Sequence, residues 1–466
     1  MPLPDLIEIV PLDKPVRAEI TVPGSKSITN RALVLAALAE GETTLQGALW
    51  SEDTQVMVEC LQDLGFMVNV APDPDETCNR TITVYGLAGK VPRGGTEAQP
   101  LELFVANAGT AARFLSAMVC LGEGVYRLHG VPRMLERPQA ALFQALRELG
   151  YRIDSENDKL PALVHGGGWK PGTCRVNIAE SSQFASALLL GANAGGWEVR
   201  IFGNDTEELP YVRMTERLID VFPKRGGRFQ IEPDASSGTY FWAAVWLVDV
   251  AALRNSVWNL DFTNKDVGIS SLGLMNPDVK SAGYHHSPIR VKDWPTSDWQ
   301  VDAEFPDFLP LPDQISREGQ LGDSIMAAIV LAADQDAARG VVERHNWLRF
   351  VDLGRLRGQE CERVVALRIE LTKCGANVRE EGDTLAVWPS QLHGATIETY
   401  NDHRMAMCFA ILGLKVPGVK IKNPACVKKT FPNFFQKLAA APPRGLGAKI
   451  LDPSGRPLAH DELFAE

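Results

Sequence analysis

Four predicted helices in this chain are apolar around their whole circumference. A helix that is apolar on every face is buried on every face, so other elements must enclose each of them. The four helices cover residues 110–121, 183–190, 324–333 and 405–414. Each begins at a polar cluster, in residues 107–110, 181–183, 322–324 and 401–404. Such ends are expected to face a shared hydrated cleft, although ordinary helix capping is the simpler interpretation for any one of them.

A fifth polar helix start lies in residues 23–31, where a proline-glycine turn follows an apolar strand predicted at 18–22. The turn delivers Lys26 and Ser27 to the first turn of a helix, where backbone N–H groups are unpaired. The positive end of the helix dipole, together with Lys26 and Arg31, makes this start a candidate anion site. The alternative is that Ser27 is only an N-cap and Lys26 only a solvated lysine.

A helix, a glycine and then a strand recur three times along the chain. The helices are predicted at 55–64, 138–149 and 362–373, and the glycines that follow are Gly65, Gly150 and Gly375. Glycine after the last helical residue suits the left-handed C′ position, and Pro138 suits a first helical position. The recurrence predicts an α/β (α+β) protein built from βαβ-like modules in series.

Composition restricts the possible functions. A chain of 466 residues exceeds one ordinary core, which predicts two or three domains. The net charge of −11 argues against a general nucleic-acid partner. The longest apolar run, residues 241–253, is too short for a membrane span. The cysteines are scattered without a C-x-x-C pair, which favours reduced thiols in the cytoplasm and offers no metal site.

Several short motifs occur together and in order, in residues 23–31, 107–113, 132–138, 181–183, 232–237, 360–363, 401–409 and 428–432. The set resembles the 5-enolpyruvylshikimate-3-phosphate synthase (3-phosphoshikimate 1-carboxyvinyltransferase) family of enolpyruvyl transferases. Any one motif is weak, and the ordered set is specific. The stretch 255–314 has no match to the family pattern.

The resemblance implies a two-domain enolpyruvyl transferase fold. Each domain would consist of three βαβαββ-type units, with helices inside, sheets outside and helix N-termini facing a cleft. The implied first domain is 22–233, and the second is 1–21 with 234–440. Residues 441–466 are rich in proline and glycine, which predicts a weakly structured tail.

The implied reaction moves the enolpyruvyl group of phosphoenolpyruvate to the 5-hydroxyl of shikimate 3-phosphate and releases phosphate. Asp323 matches the family's base, and Glu360 and Lys26 match its proton-handling pair. The implied phosphoenolpyruvate ligands are Lys26, Asn107, Gly109, Thr110, Arg133, Gln183, Arg363, Arg404 and Lys429. The implied shikimate 3-phosphate contacts are Lys26, Ser27, Arg31, Ser181, Ser182, Gln183, Tyr211, Asp323, Arg355 and Gln359. The resemblance implies no cofactor and no metal, and we expect a cytoplasmic monomer that acts on these small molecules, without nucleic acid or membrane.

The chain departs from the family at four positions. Arg355 and Gln359 stand where an asparagine and a lysine are usual, Glu208 replaces a serine, and Phe114 replaces a proline common in bacterial members. The first two changes affect the shikimate 3-phosphate side. One alternative is UDP-N-acetylglucosamine enolpyruvyl transferase, although the loop 130–138 lacks the reactive cysteine of that relative. Another is a non-catalytic homologue that binds phosphorylated ligands, although such a binder needs no acid–base groups.

Overall fold

The computed structural model describes residues 3–14, 16–203, 209–257, 288–339 and 346–465. The chain divides into two compact units. The N-terminal unit consists of Pro23–Asp234 and Pro295–Gln300, and the C-terminal unit of Met1–Val22, Ala235–Trp294 and Val301–Glu466. The chain therefore passes from one unit to the other at four points, two of which bound the six residues 295–300 that the sequence analysis did not single out.

The described helices are α1 (Lys26–Leu38), α2 (Glu52–Asp63), α3 (Gly109–Met118), α4 (Pro132–Glu136), α5 (Ala140–Glu148), α6 (Gln183–Gly195), α7 (Leu209–Val221), α8 (Ala235–Val257), α9 (Ile325–Ala333), α10 (Gln335–Arg339), α11 (Arg363–Lys373), α12 (His403–Gly413) and α13 (Phe434–Ala439). Short 3₁₀ helices lie at Val119–Leu121, Val301–Phe308, Gly354–Gly358, Pro424–Lys429 and His460–Leu463.

The described strands are β1 (Leu6–Ile9), β2 (Ala18–Ile20), β3 (Glu40–Leu49), β4 (Val68–Pro72), β5 (Asn79–Leu87), β6 (Leu101–Phe104), β7 (Val125–His129), β8 (Arg152–Asp154), β9 (Ala162–His165), β10 (Gly172–Asn177), β11 (Trp197–Phe202), β12 (Gly227–Gln230), β13 (Ile289–Val291), β14 (Gln314–Ser316), β15 (Leu348–Val351), β16 (Asn377–Glu381), β17 (Thr384–Trp388), β18 (Thr396–Ile397), β19 (Lys420–Lys422) and β20 (Ile450–Leu451).

The strands form one sheet pattern repeatedly. In the N-terminal unit the sheets run β12-β3-β5-β4, β6-β7-β9-β8 and β10-β11. In the C-terminal unit they run β14-β15-β17-β16, β18-β19-β1-β20 and β13-β2. Every four-stranded sheet begins with a parallel pair followed by two antiparallel pairs, and both two-stranded sheets are parallel. Each unit thus has two four-stranded sheets of the same pattern and one two-stranded parallel sheet, in line with a series of related supersecondary units.

The helices lie inside and the sheets outside, as predicted. All ten residues of α3 and all nine residues of α9 are buried. Strands β6 and β12, in contrast, bury a single residue each and expose most of the others. The apolar helices fill the two hydrophobic cores, one in each unit, because a helix without a polar face has no surface to give to water.

The three predicted left-handed glycines are confirmed. Gly65, Gly150 and Gly375 have φ values of 90°, 85° and 88°. At each helix end, the glycine and the residue after it donate their backbone N–H groups to the last turn of the helix. For example, Gly65 N–H donates to Gln62 O and Phe66 N–H donates to Leu61 O. This is the Schellman motif, which satisfies carbonyls that the helix leaves open. The prediction for Pro138 was wrong by two residues, because α5 begins at Ala140 with Gln139 as its N-cap.

Residues 441–465 are not a weakly structured tail. Strand β20 pairs antiparallel with β1, through Glu8 with Leu451 and Ile9 with Ile450. Leu463 is completely buried in the core of the C-terminal unit. Prolines and glycines lie at the turns of this segment, but the apolar residues between them are buried in the core. The amino-acid composition of the segment does not reveal this burial. The stretch 255–314, which has no match to the family pattern, includes β13 and the Val301–Phe308 helix, and its residues 258–287 lie outside the described residues.

In the part of the chain that the structure covers, no helix combines the length and apolarity needed to cross a bilayer.

The burial of Leu463 gives a direct test of this correction. Leu463→Ala should lower the free energy of unfolding by about 2–5 kcal/mol, because it removes a fully buried leucine side chain. Leu87→Ala is the matched control, since Leu87 is 41% exposed and its loss should cost only about 0.5 kcal/mol. Urea unfolding followed by tryptophan fluorescence measures both values. Equal, small effects of the two variants would restore the tail interpretation.

Candidate active site

The site residues of the N-terminal unit begin with α1. Ser25, in extended conformation, is the N-cap residue, so Lys26 and Ser27 are the first two helical residues. The interpretation of Ser27 as the N-cap is therefore wrong. The Lys26 ammonium pairs with Asp53 of α2 at 3.2 Å, and the aspartate side chain is only 6% exposed. Lys26 is thus held at the helix start by a nearly buried carboxylate rather than being freely solvated.

Arg31 is enclosed by its own unit. Its Nε donates to Thr215 Oγ1 at 2.7 Å, and Nη1 and Nη2 donate to Ser27 O at 2.9 Å and Ser186 Oγ at 3.1 Å. Its guanidinium also lies over the ring of Phe114, 5.3 Å from the centroid. The side chain is 2% exposed. These contacts give Arg31 a structural role that the sequence did not reveal, and its contact with a ligand stays a prediction.

Tyr211, the third residue of α7, belongs to the same group. Its carbonyl oxygen accepts from Thr215 Oγ1 at 2.9 Å and from Arg31 Nη2 at 3.4 Å. The side chain is partly buried against the hydrophobic core.

The starts of α3 and α6 meet through Gln183. Its Oε1 accepts from Arg113 Nη1 at 3.0 Å, and its Nε2 donates to Thr110 Oγ1 at 3.3 Å. Ser181 Oγ accepts from the Gln183 backbone N–H at 3.2 Å, and Ser182 is the buried N-cap residue of α6. The structure therefore brings Thr110, Gln183 and the two serines together, as predicted from the polar helix starts.

Two arginines converge on Gly109, the first residue of α3. A Cβ atom at this position would lie 2.5 Å from Arg113 Nη1 and 2.7 Å from each terminal nitrogen of Arg137. Arg137 Nη1 also donates to Asn107 O at 3.4 Å. A side chain at this position would displace both guanidinium groups from the helix start. Arg113 and Arg137 were not predicted as site residues, although both lie inside the motifs that carry the family resemblance.

Arg133 occupies a different position from the residues around Gly109. It lies on the short helix α4, and its Nη1 pairs with Glu136 of the same helix at 2.6 Å. Half of its side chain is exposed. Its predicted contact with phosphoenolpyruvate stays a prediction.

In the C-terminal unit the site is organised around Arg363, the first residue of α11. Its side chain is 1% exposed and faces three carboxylates. Nε pairs with Asp402 at 2.7 Å, Nη2 with Glu360 at 2.7 Å and Nη1 with Asp323 at 3.3 Å. A buried guanidinium is tolerated only when its charge is compensated in this way.

The same carboxylates hold further cations. Asp323 pairs with Arg404 Nε at 3.1 Å and with Arg317 Nη2 at 3.3 Å. Glu360 pairs with Lys429 Nζ at 3.0 Å. We call the seven residues Arg317, Asp323, Glu360, Arg363, Asp402, Arg404 and Lys429 the ionic cluster. Four cations and three carboxylates leave one positive charge in excess.

The ionic cluster unites five predicted site residues: Asp323, Glu360, Arg363, Arg404 and Lys429. It also contains two that were not predicted. Asp402 could have been found, since it lies within the Asn-Asp-His-Arg motif and caps α12 by accepting from the Arg404 N–H at 2.8 Å. Arg317 gives no signal in the sequence, because it follows a short strand without a recognisable motif.

The cluster keeps Asp323 ionised. Burial alone would raise the pKa of the Asp323 carboxyl, but Arg404, Arg363 and Arg317 outweigh burial and hold it well below its ordinary value. For Arg363, burial lowers the pKa of the guanidinium, but Asp402, Glu360 and Asp323 outweigh it and raise the pKa overall. Asp323 and Arg363 are therefore charged throughout the range in which enzymes operate.

Residues in the left-handed backbone conformation lie in the two loops just before the helices that carry Arg404 and Lys429. Tyr400 and Asn401 precede α12 with φ values of 55° and 56°, and Asn423 precedes the Pro424–Lys429 helix with φ of 50°. Asn423 Nδ2 donates to Asn401 Oδ1 at 3.1 Å, which ties the two loops together. Asparagine is one of the few residues that adopts this conformation at moderate cost.

Two of the four departures from the family, Arg355 and Gln359, lie in the Gly354–Gly358 helix and just after it. Arg357 is paired with Glu380 at 3.0 Å, with Asp383 at 2.8 Å and with Glu362. Arg355 and Gln359 are partly buried. Phe114 is buried on α3 beneath Arg31, and Glu208 lies outside the described residues.

The described ranges contain no group of three or more histidine, cysteine, aspartate or glutamate residues arranged to hold a metal ion.

Two solved structures share this fold. An EPSP synthase from Acinetobacter baumannii matches with a TM-score of 0.64 and 18% identity, over 96% of this chain and 100% of that chain. The enolpyruvyl transferase NikO from Streptomyces tendae matches with a TM-score of 0.61 and 15% identity, over 97% of this chain and 99% of that chain. The fold is therefore that of the enolpyruvyl transferases.

Sequence comparison is more specific. The model of the EPSP synthase (3-phosphoshikimate 1-carboxyvinyltransferase) family matches residues 11–438. Proteins named 3-phosphoshikimate 1-carboxyvinyltransferase are 34% identical in Trichormus variabilis and 35% identical in Opitutus terrae. These matches cover 93% and 94% of this chain and 98% of each relative. The chain belongs to the EPSP synthase family.

The lowered pKa of Asp323 predicts how stability depends on pH. A carboxyl whose pKa is lower in the folded state stabilises the fold above its ordinary pKa of 3.8, and this stability is lost as the pH falls towards the folded value. Asp323→Asn should therefore reduce the free energy of unfolding at pH 7, by on the order of 1–3 kcal/mol, and the deficit should shrink below about pH 4. Asp220→Asn, at an exposed position of α7, is the control.

Urea unfolding of the three proteins at pH 7, 5 and 3.5 measures this difference. A deficit of Asp323→Asn that is constant over all three pH values would contradict the lowered pKa.

Proposed function

We propose that this protein transfers the enolpyruvyl group of phosphoenolpyruvate to the 5-hydroxyl of shikimate 3-phosphate, yielding 5-enolpyruvylshikimate 3-phosphate and phosphate. The observation that carries the proposal is the ionic cluster, in which an ionised carboxylate, Asp323, is held among three arginines, and the four cations exceed the three acids by one charge. Membership of the family, and relatives that carry the name of this activity over nearly their whole length, support it.

Anion binding is the first task of such a site. Both substrates carry a phosphate and a carboxylate, and arginine pairs with these groups through two parallel hydrogen bonds. We assign phosphoenolpyruvate to the cationic side chains Lys26, Arg133, Arg363, Arg404 and Lys429 and to the polar starts of α3 and α6, which are Asn107, Gly109, Thr110 and Gln183. Asp323 and Glu360 pair with Arg363, which orients its guanidinium group for an incoming anion.

Proton transfer is the second task. In the addition step, the 5-oxygen of shikimate 3-phosphate bonds to C2 of phosphoenolpyruvate while C3 gains a proton and the hydroxyl loses one. In the elimination step, C3 loses a proton and the bond between C2 and the phosphate oxygen breaks. We assign Asp323 as the acceptor of the hydroxyl proton, and Glu360 and Lys26 as the groups that move the proton at C3.

The arginines couple binding to basicity. In the free protein, Arg404 and Arg363 hold the pKa of Asp323 low, which makes the carboxylate a weak base. When substrate anions pair with these guanidinium groups, their effect on Asp323 weakens, and its pKa rises toward the range useful for general-base catalysis.

The Lys26 assignment has a sharp test. Lys26→Ala should lower kcat by about 10²–10⁴-fold, the usual contribution of an acid–base group. Asp53→Asn removes the ion pair of Lys26 but keeps the ammonium, so it should retain most of the turnover. Circular dichroism shows whether each variant is folded. A folded Lys26→Ala protein with near-normal kcat would remove Lys26 from the mechanism.

We assign the shikimate 3-phosphate to Ser27, Arg31, Ser181, Ser182, Tyr211, Asp323, Arg355 and Gln359, and Lys26 and Gln183 serve both substrates. Gln359 lacks the positive charge of the lysine that is usual at this position, and we assign Arg355 to supply it. The neighbouring Arg357 is already paired with Glu362, Glu380 and Asp383. Arg355→Ala should then raise the KM for shikimate 3-phosphate more than the KM for phosphoenolpyruvate. Unchanged KM values for both substrates would show that Arg355 is a surface residue.

The reaction itself is tested by ³¹P nuclear magnetic resonance of the purified protein with both substrates. We expect inorganic phosphate to appear together with an equal amount of 5-enolpyruvylshikimate 3-phosphate. UDP-N-acetylglucosamine is the control acceptor and should give no product. Product from the nucleotide sugar alone would assign the chain to the other enolpyruvyl transferase activity, and no product with either acceptor would indicate a non-catalytic binder.

We also propose that the protein acts as a monomer in the cytoplasm, without cofactor or metal. All eight cysteines are free thiols, as in a reducing compartment. Light scattering coupled to size-exclusion chromatography should give a mass near 51.0 kDa. Activity should survive exhaustive treatment with a metal chelator.

A further inference from the structure

Asp302 is a buried carboxylate in the stretch that the sequence analysis could not match to the family. It lies in the Val301–Phe308 helix of the C-terminal unit and is 3% exposed. Its side chain accepts hydrogen bonds from Gly322, Ser324 and Ser236. A buried carboxylate is retained only where donors compensate for its lost hydration, so the identity of these donors indicates what Asp302 does.

One oxygen of Asp302 holds the backbone on both sides of Asp323. Oδ1 accepts from the Gly322 N–H at 2.8 Å and from the Ser324 N–H at 3.3 Å. Gly322 and Ser324 are the residues immediately before and after Asp323, which we assign as the catalytic base. The Ser324 hydroxyl donates to the same oxygen at 2.6 Å.

Ser324 shows that this arrangement differs from ordinary helix capping. Ser324 occupies the N-cap position of α9, yet its side chain makes no capping hydrogen bond to its own helix. The hydroxyl is directed to Asp302 instead. The serine hydroxyl therefore joins the helix start to a distant segment instead of accepting from the first turn of α9.

The other oxygen of Asp302 links this start to α8. Oδ2 accepts from the hydroxyl of Ser236, in the first turn of that helix. One carboxylate therefore connects the starts of two buried helices within the C-terminal unit.

We propose that Asp302 is a positioning residue that sets the direction in which Asp323 projects. This inference rests on the proposed function, in which Asp323 is the base. Asp323 keeps contacts of 3.1–3.3 Å with Arg317, Arg363 and Arg404, and a small rotation of its peptide groups would move the carboxylate away from all three. Because Asp302 holds the N–H groups of Gly322 and Ser324, it fixes the backbone position from which the Asp323 side chain extends.

The experiment compares Asp302→Ala, Asp302→Asn and Ser236→Ala in steady-state kinetics of the full-length protein. Misplacement of a reacting group by about 1 Å costs about 10²-fold, so Asp302→Ala should lower kcat by roughly that factor while both KM values change less. Asp302→Asn should recover most of kcat, because its amide oxygen accepts from Gly322 and Ser324 while its NH₂ donates to Ser236. Ser236→Ala removes only the contact to α8 and should leave kcat nearly unchanged.

Ser324→Ala covers the case in which Asp302→Ala does not fold. It deletes one donor and leaves both backbone contacts. We therefore expect kcat to fall by a smaller factor, again with both KM values changing less than kcat. Unchanged kcat in a folded Asp302→Ala or Ser324→Ala protein would overturn the inference. A loss that merely follows the folded fraction, without rescue by Asp302→Asn, would also overturn it.

Asp323→Asn, measured in parallel, separates this inference from the proposed function. Full turnover in Asp323→Asn would overturn both the base assignment and the positioning role. Loss of turnover in Asp323→Asn, with wild-type kcat in Asp302→Ala, would overturn the positioning role alone. Loss in both, with rescue by Asp302→Asn, is the expected result.

Discussion

The compensation of one buried charge shapes much of the C-terminal unit. Arg363 is almost inaccessible to water, and an uncompensated guanidinium there would cost several kcal/mol. Asp402, Glu360 and Asp323 supply the compensation, and in turn they need the remaining cations of the ionic cluster. Removing one member changes the charge balance around the others. The geometry of the proposed anion site is therefore set by charge balance as much as by apolar packing.

The fold makes this balance possible because it places helix starts where polar groups are needed. Asp402 caps α12, Arg363 begins α11, and Asp323 lies two residues before α9. Helices enclosed on all sides have only their ends available for polar chemistry, and the N-terminal ends favour anions. Within the N-terminal unit, the starts of α3 and α6 meet in the same way through Gln183.

The sequence predicted features that depend on local pattern. Apolar periodicity located the buried helices, and glycine positions located three helix ends. Contacts between distant segments were not predictable, because Arg31 and Thr215, or Asp302 and Gly322, have no mutual signal in the sequence. The family resemblance identified five members of the ionic cluster, whereas Arg317 follows a strand of three residues that belongs to no motif. Residues 441–465 were misjudged because turn residues outnumber the few apolar ones that anchor them.

The most direct test of this account is the affinity of Arg363→Lys for phosphoenolpyruvate in the presence of shikimate 3-phosphate. Lysine keeps the charge but cannot pair with three carboxylates in the planar geometry of arginine. The account predicts a folded protein in which phosphoenolpyruvate binds much more weakly and phosphate release falls by about 10²-fold or more. Isothermal titration calorimetry and a phosphate-release assay measure the two effects. Wild-type affinity and turnover in Arg363→Lys would contradict the claim that the arrangement around Arg363 forms the anion site.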